Sequence, residues 1–162
     1  MVEVSLNVKI NSDVQKVWNF INNVSLALSY NKFHRKIDIK KSYRIDSKEE
    51  TIITHNFGFG SHPMSLEVID SNPPFSIRFK ETAKDKNIKT FEHETQFCID
   101  RDTTFCELTY KVKGTFNNKV ADVSFKPILK AVMIDELRKI KLAVESSEDS
   151  LDSMKNKQYS PV

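Results

Sequence analysis

Glycine is scarce in this chain, three in 162 residues. A loop that cradles the phosphates of a nucleotide needs clustered glycines to bring backbone amides close, so the chain has little room for that class of site. Cysteine is rarer still. Cys98 and Cys106 are too few and too far apart for a zinc-finger spacing, and they fall on runs that read as adjacent strands. Reduced structural thiols are expected there, with a cross-strand disulfide as the minority outcome. No apolar run approaches the ~20 residues of a membrane span, and Met1 leads directly into a strand pattern rather than the charged and apolar regions of a signal peptide. A cytoplasmic location is therefore expected. Charge of one sign is not in marked excess, the net value being +3. Lys32, Arg35, Lys36, Lys40, Lys41 and Arg44 do gather along one stretch, which offers a surface to a protein partner or forms a solvated strand edge whose lysines discourage edge-to-edge pairing. No RNA-binding aromatic motif or helix-turn-helix accompanies them, so nothing points to nucleic acid.

What the chain does have is hydrophobic patterning over a length that suits one domain with one core, 39% of its residues being apolar. Val2, Val4, Leu6, Val8 and Ile10 alternate with polar residues, the period of a strand with one buried face. Ser12 with Gln15 offers a capping box to a short helix carrying Val14, Val17, Trp18 and Ile21. Val24 to Tyr30 suggests a second short helix or turn. From Ile37 to Phe116 the pattern predicts six strands, punctuated by Asp46-Ser47-Lys48, Gly58 and Gly60, Asn72-Pro73-Pro74, Lys84 to Asn87 and Asp100-Arg101-Asp102. From Asn118 to Ser146, Val120, Val123, Phe125, Ile128, Leu129, Val132, Met133, Leu137, Ile140 and Val144 recur at three- and four-residue steps, which predicts a long amphipathic helix of roughly seven turns. Pro127 inside it predicts a kink or a separate first segment. The domain is placed at residues 1–146, with a polar tail at 147–162 that is frayed or held only by its neighbours.

The order strand, two short helices, six strands, long helix resembles the helix-grip fold of the START, Bet v 1-like and polyketide cyclase/dehydrase (SRPBCC) superfamily. The opening Val2 to Ser12, with Val14 and Val17-Trp18 after it, and the closing helix from Asn118 carry the resemblance, which covers about residues 2–146. It implies an α+β domain in which a curved seven-stranded antiparallel sheet wraps around the C-terminal helix and encloses a cavity for a small hydrophobic, aromatic or lipid-like ligand. The glycine-rich loop of many relatives is represented only by Asn56-Phe57-Gly58-Phe59-Gly60.

Strand parity places polar groups among the inward residues. His55 shares its face with Ile53 and Phe57, His93 sits between Phe91 and Thr95, and Tyr43 and Tyr110 point the same way. Imidazole and phenol in an apolar interior orient a ligand carbonyl or move a proton, although each also suits a hydrogen-bonded core. The candidate ligand-binding set is Tyr43, His55, Phe57, Met64, Phe79, His93, Phe97, Tyr110, Phe125, Leu129 and Met133, with His55, His93 and Tyr110 as candidate catalytic groups. Eleven phenylalanines supply either a packed core or an aromatic cavity wall suited to a flat, apolar ligand. His55, His62 and His93 lack local ligand spacing and no carboxylate or thiol completes a motif, so no metal and no cofactor are expected. Three functions compete: a non-enzymatic binding protein for an apolar molecule, a cyclase/dehydrase-like enzyme using His55, His93 and Tyr110, and an interaction module similar to the chaperone- or ribosome-contacting branch of the superfamily.

Overall fold

The computed structural model describes residues 1–39, 51–58, 60–101 and 105–157. The first strand, β1 (Val2–Ile10), buries Val2, Val4 and Ile10 on one face as its alternation requires. Helix α1 (Val14–Asn22) follows, and Val17, Trp18 and Ile21 form its buried stripe. Its cap is Asp13 rather than Ser12. Asp13 takes the extended backbone of a cap, and its carboxylate accepts the Lys16 amide at 2.9 Å, while Gln15 turns outward to Asn19. A second short helix, α2 (Val24–Ser29), is capped by Asn23.

Six further strands come next: β2 (His34–Ile39), β3 (Thr51–Asn56), β4 (Ser61–Asn72), β5 (Ser76–Ala83), β6 (Glu92–Arg101) and β7 (Cys106–Thr115). With β1 they form one curled antiparallel sheet in the order β1-β7-β6-β5-β4-β3-β2. Strand β2 starts at His34, before the alternating Ile37 and Ile39, and the pairing with β3 is irregular between His34 and Lys36. The expected continuation through Tyr43 and Ile45, the turn at 46–48, and Phe59 lie outside the described residues. Phe75, in the turn between β4 and β5, is exposed. Both cysteines are free thiols, and Cys106 Sγ lies 3.0 Å from the Ser12 carbonyl oxygen that accepts from it.

Helix α3 (Lys119–Lys157) closes the chain and continues past Ser146 into the stretch read as a tail. It packs on β1, β7 and α1. Phe125, Leu129, Met133, Leu137, Ile140 and Val144 are buried, whereas Val120, Val123 and Ile128 are exposed. At 3.6 residues per turn those three fall outside the stripe, so the apolar face is narrower than the sequence alone suggests. Pro127 lies within this one helix, at an exposed position. Asp122 ties the helix start to the sheet: one oxygen accepts from Thr115 at 2.8 Å and meets the Met1 amine at 2.6 Å, and the other accepts the Phe116 amide at 2.8 Å. Burial would raise its carboxyl pKa, but these contacts hold it below its usual value. Among the described residues no helix is long and apolar enough to cross a membrane.

Candidate functional site

The polar centre of the interior is assembled from four strands. Glu81 on β5 shares the inward parity of Ile77 and Phe79, and its cross-strand partner on β6 is His93. His34 on β2 is the partner of His55 on β3. The curl of the sheet brings these pairs together over β4. His55 Nε2 lies 3.1 Å from one oxygen of Glu81, and His93 Nε2 lies 3.3 Å from the other. Both contacts have ion-pair distances without the in-line geometry of a hydrogen bond, and both nitrogens of His55 are buried without a hydrogen-bond partner. His34 Nδ1 instead donates to the Leu28 carbonyl at 2.7 Å, and His93 Nδ1 to the Phe91 carbonyl at 3.0 Å.

Gly114 on β7 is the close neighbour that this packing needs. It sits opposite His93, and a Cβ there would fall 2.5 Å from both His93 Cβ and the Glu92 carbonyl oxygen. A second centre lies beside the first, where Glu136 of α3 is fully buried. Its Oε2 accepts from Asn31 at 2.9 Å and from the Tyr110 hydroxyl at 3.0 Å, while Oε1 has no hydrogen-bond partner.

The electrostatics follow from burial opposed by neighbours. Burial favours the neutral form of Glu81, but the His93 charge and contacts from His55 and His93 reverse this and hold its carboxyl well below the usual range. Burial lowers His93 as well, and the facing Glu81 carboxylate more than compensates, leaving it raised. His34 is carried down to about 4, chiefly by burial. Burial drives Glu136 up to about 8 despite the Tyr110 and Asn31 hydrogen bonds. Tyr110 is pushed well above 10 by burial and by the Glu136 carboxylate beside it.

The two centres meet in a small interior space of about 10 Å³, lined by Asn31, Phe33, His34, His55, Phe57, Phe91, His93, Tyr110, Val112 and Leu129. That is about the room one water molecule needs. Of the candidates named from sequence, His55, Phe57, His93, Tyr110 and Leu129 are brought together on its wall. Met64, Phe79, Phe97, Phe125 and Met133 are buried in the surrounding core and do not line this space, and Tyr43 is outside the described residues. The sequence reading missed Glu81, Glu136, His34 and Asn31. The first two carried a usable signal, since Glu81 continues the Ile77, Phe79 alternation and Glu136 stands within the Met133, Leu137, Ile140 stripe. Of the basic group, Lys32 pairs with Asp135 at 3.2 Å and Lys36 with Asp38 at 2.9 Å. Arg35 is exposed, and Lys40, Lys41 and Arg44 are outside the described residues.

No family model matches this sequence, and no curated protein does either. Solved structures do match in shape. A conserved protein from Geobacillus kaustophilus superposes with a TM-score of 0.71 at 15% identity, covering 90% of this chain and 97% of that one. The di-domain ARO/CYC protein StfQ of the steffimycin biosynthetic pathway gives 0.67 at 12% identity, covering 92% of this chain and 52% of StfQ. DynU16 from the dynemicin biosynthetic locus gives 0.62 at 16% identity, over 90% of this chain and 48% of DynU16. The chain has the helix-grip fold. In this helix-grip domain the polar centres occupy the interior between sheet and C-terminal helix. At these identities the likeness concerns the fold, and the activities named remain those of the other proteins.

Proposed function

We propose that this helix-grip domain binds a small hydrophobic or aromatic molecule between the sheet and α3, its polar end facing Asn31, His93 and Tyr110. One observation carries the reading: aromatic walls converge on hydrogen-bonding side chains that are braced from behind by two buried acidic side chains, Glu81 and Glu136. Buried ionisable groups are a poor way to stabilise a core, since apolar residues of similar volume commonly do as well or better. A recognition role gives them a reason to be there.

The space enclosed by these described residues is smaller than any such ligand, so entry at this point requires a wall to move. Phe57 is the side chain suited to move. Its ring contacts those of Phe33, His55, His62, Phe91, Phe116 and Phe125, and the chain just beyond it turns through Gly58 and Gly60 at positive φ. Phe57→Ala is expected to open a cavity that takes up an apolar fluorescent probe more tightly than the wild type. Native mass spectrometry of freshly purified wild-type protein then reads any co-purifying molecule directly. Absence of a bound mass together with no probe uptake by either protein would refute the reading.

The Tyr110–Glu136 hydrogen bond favours a second reading, proton transfer to an enolisable carbonyl compound of the kind a cyclase or dehydrase handles. A carboxyl held protonated near neutral pH backs the phenol that would meet the substrate oxygen. Tyr110→Phe would then abolish turnover while binding persists, whereas equal binding and no turnover in either protein leaves ligand carriage alone.

A further inference from the structure

The cluster of His34, His55 and Glu81 has the composition and spacing of a transition-metal site, and we propose that it binds one divalent first-row cation, with zinc the chemistry it fits best. One ligand atom from each residue lies within 4.8 Å of the other two. Tetrahedral zinc with bonds of about 2.0–2.1 Å sets its ligand atoms roughly 3.3 Å apart. His55 Nε2 and Glu81 Oε2 already stand at 3.1 Å, so closure asks for an inward movement of the half-buried His34 ring, whose ligand atom lies within 4.8 Å of theirs. Two imidazoles and one carboxylate form a donor set that zinc uses when a further position is left for water or ligand.

Three further observations point the same way. His34 Nδ1 donates to the Leu28 carbonyl, which fixes the tautomer and leaves Nε2 as the lone-pair donor. Such a backbone anchor on the far nitrogen is the usual support of a metal-bound histidine. Within the fully buried His55 and Glu81, both ring nitrogens and both carboxylate oxygens lack in-line hydrogen bonds, although purely structural buried polar groups are nearly always hydrogen-bonded. His93 completes the second layer. It is anchored through Nδ1 on the Phe91 carbonyl and presents Nε2 to the Glu81 oxygen that faces away from His55, so it acts as a positioning residue. Sequence spacing gave no hint of this set, because the ligands come from β2, β3 and β5 and only the curl of the sheet unites them. The proposal is independent of whether the interior admits an organic ligand.

The test uses the full chain after dialysis against a chelator, titrated with Zn2+ alone by calorimetry and with Co2+ by visible absorption. One equivalent of Zn2+ is expected, and Co2+ should give the intense d–d bands of a four- or five-coordinate nitrogen and oxygen site. His34→Gln and Glu81→Gln should each weaken Zn2+ binding more than tenfold, and His93→Gln should weaken it about 10- to 100-fold with the stoichiometry kept. His62→Gln, outside the set, should leave it unchanged. Failure of the folded wild type to take up one equivalent, a weak octahedral Co2+ spectrum, or Zn2+ binding unaffected in folded His34→Gln would each overturn the site. Should the Glu81 variant fail to fold, the wild-type Co2+ spectrum and the His34 variant still decide. Since no organic molecule is present, a negative result here is separate from failure of probe uptake.

Discussion

Glu136 accepts two hydrogen bonds on one oxygen and none on the other, beside the apolar Met133, Leu137 and Ile140 of the same helix face. Its pKa is raised from 4.5 to about 8, so the native state holds this proton more tightly than the unfolded chain does. The stability linked to it is fully present below about pH 4.5 and is lost as pH rises through about 8. Gln mimics the protonated acid without that penalty. Glu136→Gln is therefore expected to match the wild type near pH 4.5 and to exceed it above pH 8 by an amount on the order of a few kcal/mol. Urea denaturation at pH 5, 7 and 9 measures the gap. A gap that does not change with pH would show that Glu136 is already ionised at the low end of that range.

At the scale of elements, Pro127 is the clearest local conflict. Having no amide hydrogen, it cannot bond to the carbonyl of Val123, which lies on the exposed side of α3 where water can replace the partner. Pro127→Ala restores that bond at an exposed position away from both polar centres. A gain of about 1–3 kcal/mol is expected, read as a higher denaturation midpoint with unchanged slope. A loss would mean that the ring holds a bend on which the packing of Phe125 and Leu129 depends. Strand β1 and the buried stripe of α3 were legible in sequence because their periods are 2 and 3.6 and their buried residues are apolar. Other boundaries were less so. The Asp13 cap was hidden by an equally plausible Ser12, and His34 precedes the alternation that marks β2.

At the scale of the whole molecule, the candidate site was legible only in part, for a physical reason. Parity reveals which residues of a strand face inward, so His55, His93 and Tyr110 could be picked out. Parity does not reveal which inward residues meet, since that depends on curl and register; hence Glu81 and Glu136 were passed over in slots that read as core. The same long-range register governs folding. β1 pairs with β7 along its whole length, and Asn7 bonds to Glu107 across 100 positions of sequence. Contacts of that separation slow the search, so the fastest refolding phase followed by fluorescence of Trp18, the chain's one tryptophan, is expected in the millisecond-to-second range. Complete refolding within microseconds would show that the β1–β7 pairing does not limit the rate. On the ribosome the delay is longer still. The first strand emerges with its apolar face bare, and at 5–20 residues per second it waits on the order of 5–20 s for its partner to be synthesised. During that interval the bare apolar face of β1 is a surface for a chaperone to shield.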